Sequence, residues 1–388
     1  MPGVFKVNKV RLLSFFMIVS TIACIARPLN ILFIVGHFPA PSQTFILNQI
    51  ISLIDRGHNV SIFSFHKDIV ENVDPIIEKY HLLDRVMYID FPDQLPECDI
   101  VFCQFGYHGK KVFEKPEIAD WLKDKKVVTC LRGSDITTRF MKKPHKYAQL
   151  FQKGDLFLPV CDYFKNLLIT CGCDTKKIMV HYSAIDCTKF FFKRRSLPKK
   201  GPIRLISVCR LVEKKGIKYA INAIAKVMRN YPNVEYYIVG EGPERSSLTK
   251  LIKKLKMEDK IILCGWKSQD EVVALLDKAH IFLLPSVTAN DGNEEGIPNA
   301  LKEAMAMGLP VLATWHAGNS ELIENKVSGF LVRQRDAAAL YSKIMYLIKN
   351  PQIWPNVAIT ARKTVENRFE TKKVVIKLEK IFYELLGQ

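Results

Sequence analysis

Short, continuously apolar runs alternate with stretches of helical periodicity along almost the whole of this sequence, and that alternation limits the folds open to it. Runs at 29–35, 60–65, 99–103, 126–131, 155–160 and 177–181 read as strands. A strand without polar alternation is buried on both faces, as in a parallel sheet. A helix is predicted over 43–56, closed by Gly57. After residue 202 the pattern starts again, with strands at 203–209, 234–239, 260–264, 280–284, 309–313 and 329–332. Strands joined through helices imply an α/β fold with helices on both faces of each sheet. The stretch 191–202 changes composition and carries two prolines, so it reads as a linker. The last segments, 351–368 and 372–386, read as helices. A length of 388 residues and 48% hydrophobic content suit two ordinary domains rather than disorder.

Charge and cysteines narrow the function classes. Lys and Arg number 57 against 39 Asp and Glu, a net charge of +18. A nucleic acid, an anionic membrane surface or a phosphorylated ligand would each suit that balance. No zinc finger, basic zipper or RNA-stacking signature is present, so nucleic acid is not expected as a partner. The basic clusters Lys193-Arg194-Arg195, Lys199-Lys200 and 250–260 read either as a membrane-facing charge or as solvated helix faces. The ten cysteines include no C-x2-C pair, and Cys171-Gly-Cys173 is poorly spaced for zinc. Cys103, Cys130, Cys209 and Cys264 sit in apolar runs and read as buried free thiols in a reducing compartment. No metal site is expected.

Two constellations carry chemistry. In Glu295-Gly-Ile-Pro-Asn-Ala-Leu-Lys-Glu303, two carboxylates with seven residues between them flank a glycine, a proline and a helix start. A helix N-terminus offers unpaired N–H groups and a positive dipole end to an anion. Pro298 suits the first helical turn. The carboxylates suit a hydroxyl-bearing ligand, although an acidic surface helix gives the same spacing. Upstream, the strand 203–209 runs into Arg210, then Lys215-Gly216, before a helix whose Ile217, Ile221, Ile224 and Met228 share one face. Open parallel sheets bind ligands at the carboxyl ends of their strands. A planar Arg fork and a mobile Lys suit a pyrophosphate; a solvated cation pair is the plain alternative. A dinucleotide-dependent oxidoreductase is disfavoured. The first strand leads to Gly36-His-Phe-Pro, and Gly240-Glu-Gly242 is followed by Arg245 where a third glycine belongs.

Together with Ala304-Met-Ala-Met-Gly-Leu-Pro310, these motifs resemble the GT-B-fold glycosyltransferases of family 4 over nearly the whole chain after residue 28. The stretches 38–46, 181–186 and 285–298 resemble the subgroup that builds bacterial exopolysaccharides of the colanic-acid type. The resemblance implies two Rossmann-like domains facing a cleft, with a C-terminal helical tail crossing back. It divides the chain into a segment 1–27, an acceptor domain 28–190, the linker 191–202, a donor-binding domain 203–365 and a tail 366–388. It also implies a nucleotide-sugar donor, UDP- or GDP-linked, transferred with retention to a glycan or lipid-linked oligosaccharide, with no cofactor or metal. Arg210, Lys215 and Glu295 then become the catalytic residues. The first two hold the donor diphosphate, and Glu295 contacts sugar hydroxyls. Glu303 takes the ribose hydroxyls, with the backbone of Gly296, Ile297 and Asn299 close to sugar and phosphate. Gly240 and Gly242 let the chain pass the nucleotide or serve a tight turn. Trp266 lies where the family seats the nucleobase, or is a packing aromatic.

On the acceptor side the sequence departs from the family. Thr129-Cys-Leu-Arg132-Gly-Ser-Asp135 carries Arg132 where relatives place a histidine, and an arginine stays protonated. Arg132 is left to bind a phosphate or orient the acceptor, and Asp135 to position it or cap the next helix. Ser42 and Thr44 contact the acceptor or cap the helix at 43–56. A non-catalytic sugar-nucleotide-binding protein and a nucleotide-sugar epimerase are the alternatives. At the N-terminus, Lys6, Lys9 and Arg11 precede the apolar run 12–26, short for a spanning helix. It reads as an anchor, a signal peptide or an unnatural start. Because nucleotide sugars are cytosolic, the expectation is a body at the cytoplasmic face of a membrane, anchored by that segment.

Overall fold

The computed structural model describes residues 27–40, 43–67, 74–88, 95–140 and 142–388. Within them the apolar runs form two parallel six-stranded sheets. The first contains β1 (Asn30–Phe38), β2 (Asn59–Lys67), β3 (Val86–Met87), β4 (Ile100–Cys103), β5 (Lys126–Leu131) and β6 (Leu156–Pro159), in the order β3-β2-β1-β4-β5-β6. The second contains β7 (Ile203–Val208), β8 (Val234–Val239), β9 (Ile261–Gly265), β10 (Ile281–Leu284), β11 (Val311–Thr314) and β12 (Phe330–Val332), in the order β12-β11-β10-β7-β8-β9. Both orders are the doubly wound arrangement, whose strand sequence reverses between the first and fourth strands of each sheet. Ligands of such sheets bind at the carboxyl side of that reversal. This is the GT-B architecture of two Rossmann-like domains. β4 and β10 are buried along their whole length, which explains their unbroken apolar runs.

The final helix, Thr371–Leu385, leaves the second sheet's lobe and returns to the first. Val375, Leu378, Ile381 and Phe382 are buried in the same core as β1 and the helix Thr44–Asp55. Phe382 meets Phe102 edge-on at 5.2 Å, and Glu379 bonds His58 at 2.9 Å.

Three expectations are corrected. The stretch 177–181 is not a strand. Met179 and His181 donate to the carbonyls of Phe157 and Pro159, each at 3.0 Å, but Pro159 has no N–H to return the bond. Only an isolated bridge between Ile178 and Phe157 survives. Pro298 does not enter the first helical turn; it precedes the helix Asn299–Ala306, as its extended ψ of 130° shows. Nor is a membrane anchor shown at a cytoplasmic membrane face. No helix among the described residues is long and apolar enough to cross a membrane, and the run 12–26 lies outside those residues.

Candidate functional site

β7 ends at the carboxyl edge of the second sheet and delivers Arg210, which is exposed. The chain then turns through Glu213–Lys215 to Gly216, whose φ is +63°. A Cβ there would stand 2.0 Å from the Pro285 carbonyl oxygen, so only glycine lets this turn lie against the end of β10. That approach seats the Lys215 ammonium on the Glu295 carboxylate as an ion pair. Lys214 reaches the same loop, donating to Asn293 Oδ1 and the Glu294 carbonyl, both at 3.2 Å. Burial works to raise the Glu295 carboxyl, but Lys215 and Lys214 outweigh it and hold it at about 2. The Glu295 amide donates to His316 Nε2 at 3.1 Å. Burial keeps the His316 imidazole below its ordinary range and therefore neutral, with Nε2 as acceptor and the proton on Nδ1.

Glu303 lies one turn into the helix Asn299–Ala306. Burial pushes its carboxyl up to about 7, against the pull of Lys302 and Lys189. Glu303 and Asn299 line a cavity with Thr44, Asp186, Lys189 and Gln269. A neighbouring cavity of about 280 Å³ shares Thr44, Leu47, Asp74, Lys189 and Gln269 and extends to Phe38, Pro39 and Trp266. Thus the first lobe supplies one wall and the second the other. Trp266 is 61% exposed and stands on the wall of this second cavity. Arg210, Lys215 and Glu295 do not line these two cavities. Gly296 and Ile297 are buried. A Cβ on Gly296 would stand 3.0 Å from Val160 and 3.1 Å from Phe164 of the first lobe. Gly240 and Gly242 serve a close approach. With φ of +131°, a Cβ on Gly240 would lie 1.9 Å from the Cys209 carbonyl oxygen; one on Gly242 would lie 2.5 Å from that of Leu211. The two glycines press the loop after β8 onto the backbone flanking Arg210.

The acceptor-side expectations change most. Arg132 is not a free phosphate fork. Its guanidinium donates to Ser183 Oγ and Gln104 Oε1, each at 2.8 Å, and to Gln49 Oε1 at 3.3 Å, beneath the Phe45 ring. Asp135 accepts from the backbone amides of Gly133 at 2.7 Å, Gly106 at 3.0 Å and Arg132 at 3.2 Å, so it shapes the loop that carries Arg132. Its carboxyl is raised by burial, with those amides opposing. Thr44 opens the helix Thr44–Asp55 and stands on the cavity wall; Ser42 lies outside the described residues. Lys189, Gln269 and His316 were not anticipated from sequence. Gln269 had a signal, because Ser268 and Glu271 form a capping box at its helix start. Among the described residues no cluster of three or more His, Cys, Asp or Glu is placed to hold a metal.

Comparison with known proteins follows the same lines. The family model for glycosyl transferases group 1 matches residues 188–368. The putative colanic acid biosynthesis glycosyltransferase WcaL of Salmonella typhimurium is 34% identical over 366 residues, covering 81% of this chain and 90% of that one. The amylovoran biosynthesis glycosyltransferase AmsK of Erwinia amylovora is 33% identical over 399 residues, covering 88% and 96%. Among solved structures, Anabaena Alr3699/HepE in complex with UDP superposes with a TM-score of 0.75 at 19% identity, over 92% of this chain and 100% of that one. The same protein in complex with UDP-glucose gives 0.73 at 19% identity, with the same coverage. A glycosyltransferase from Rickettsia africae gives 0.74 at 20% identity, over 93% and 99%. By its sequence, and on a GT-B fold, this chain belongs to the group 1 glycosyl transferases.

Proposed function

We propose that this chain is a retaining, family 4 glycosyltransferase that moves a sugar from a nucleoside diphosphate to a hydroxyl of a glycan or lipid-linked acceptor in exopolysaccharide or lipopolysaccharide biosynthesis. The observation that carries the reading is the Lys215–Glu295 ion pair, formed by the turn that follows Arg210 at the carboxyl edge of the second sheet. A diphosphate entering there takes Lys215 and Arg210 as its cations, and Glu295, released from Lys215, accepts sugar hydroxyls. The bond from the anomeric carbon to the diphosphate oxygen breaks, and its electron pair leaves with the diphosphate. The acceptor oxygen forms the new bond and gives its proton to the leaving diphosphate. Arg210 and Lys215 stabilise the charge that develops on it, which is electrostatic catalysis without a required divalent ion. Glu303 takes the ribose hydroxyls, and Trp266 takes the base. The relatives named for colanic acid and amylovoran support the pathway, and the UDP complexes of a structural neighbour support a uridine donor.

Incubation with UDP- and GDP-sugars, read by mass spectrometry for released nucleotide and glycosylated acceptor, tests the reading. Release of the nucleotide by the wild type and its loss in Lys215→Ala are expected. Unchanged release in Lys215→Ala, or conversion of the donor to an epimer, would contradict it.

A further inference from the structure

The helix Asp162–Thr170 follows β6 in the first lobe, yet the second lobe completes its N-terminus. The amides of Asp162 and Tyr163 donate to the two carboxylate oxygens of Glu321, each at 2.9 Å. Helix-start amides need acceptors of this kind, and here the acceptor comes from the short helix Asn319–Leu322 that follows β11. Arg368 steadies it, donating to the Glu321 carbonyl at 2.5 Å and to Tyr182 Oη at 2.8 Å.

A second link starts from the same turn. The Tyr163 hydroxyl donates to Glu294 Oε2 at 2.6 Å, while the Thr288 hydroxyl donates to Oε1 at 2.7 Å. The Glu294 amide donates to Thr137 Oγ1 of the first lobe at 3.3 Å, and its carbonyl accepts from Lys214 at 3.2 Å. The next residue is Glu295, paired with Lys215. Residue 294 is therefore held by the first lobe on one side and by the lysine turn on the other.

We infer that Tyr163 is a positioning residue, which acts across the lobe interface through Glu294 to set Glu295 and Lys215 when the lobes are together. The inference rests on the donor-site reading given above. Tyr163 itself does not need to touch the donor. Burial and the neighbouring Glu294 push its phenol well above the ordinary range, so it stays a donor at any working pH. Glu321 fixes the turn from which Tyr163 projects.

Tyr163→Phe keeps the ring beside Phe164 and removes only the O–H. A hydrogen bond to a charged group is strong enough that donor turnover should fall on the order of tenfold or more. The fall should appear in kcat, with donor KM within about twofold. Glu294→Ala should show a similar loss, and the double variant should be no worse than the more damaging single. Hydrogen exchange supplies a readout independent of turnover. Residues 288–296 should exchange faster in Tyr163→Phe, while the sheet strands keep their protection. Wild-type kcat in Tyr163→Phe, multiplicative losses, or unchanged exchange at 288–296 would each overturn the inference. If the wild type turned over no nucleotide sugar, the functional reading would fall, and exchange at 288–296 would still decide the role of Tyr163.

Discussion

Glu295 and Glu303 are eight positions apart in sequence and sit in opposite electrostatic settings. Two lysines outweigh burial at Glu295, whose carboxyl is held at about 2, below the ordinary 4.5. A depressed carboxyl contributes stability that is present above 4.5 and lost as the pH falls through about 2. At Glu303 burial prevails and the carboxyl rises to about 7. Its contribution is present below 4.5 and lost as the pH rises through about 7. Glu303→Gln should therefore flatten the decline in thermal midpoint between pH 5 and pH 8, checked by melting across that window. On the proposed reading, in which the ionised Glu303 accepts from two ribose hydroxyls, nucleotide affinity should rise over the same window in the wild type, and calorimetry at each pH would read it. On the proposed mechanism Lys215→Ala removes a charge facing the leaving group, so kcat should fall about 10²–10³-fold. Its measure is single-turnover release of nucleotide. These side chains were legible because each stands in a contiguous motif. His316 and Tyr163 were not, because they meet Glu295 and Glu294 only through the packing of distant segments.

At the scale of elements, buried strands and turn glycines were readable and edges were not. The apolar runs of both sheets correspond to their strands within a few residues. The stretch 177–181 has strand composition, but pairing needs a partner with free donors, and Pro159 offers none. The short β3 carries too few residues to show periodicity. Gly216 shows how a turn positions chemistry: its left-handed φ and its contact with Pro285 place Lys215 next to Glu295. Gly216→Ala should destabilise the fold by about 1–3 kcal/mol from backbone strain, before any steric cost. Urea unfolding would measure it, and an unchanged midpoint would contradict this account of the turn.

The two lobes are tied in chain order at the linker and again by the final helix, which is why the cleft has walls from both. Val375, Leu378, Ile381 and Phe382 bury their side chains on the first lobe. Each is worth about 1.5–3 kcal/mol, and four together approach the stability of a typical domain. Deleting residues 371–388 should therefore abolish cooperative unfolding of the first lobe, seen as a lost or broadened calorimetric transition. The doubly wound class and the helical tail were visible in the strand–helix alternation and the closing helical segments. The seating of Arg132 between Ser183, Gln104 and Gln49 was not, because it depends on how elements from separate parts of the chain come together. The central claim is that the second lobe holds a nucleoside diphosphate with Arg210, Lys215 and Glu303 and needs no divalent ion. Calorimetric titration of the chain with UDP and GDP in EDTA tests it most directly. The account predicts saturable binding of UDP, weakened in Glu303→Ala and lost when Arg210 and Lys215 are both alanine. Absence of binding by either nucleotide, or binding that EDTA abolishes, would contradict it.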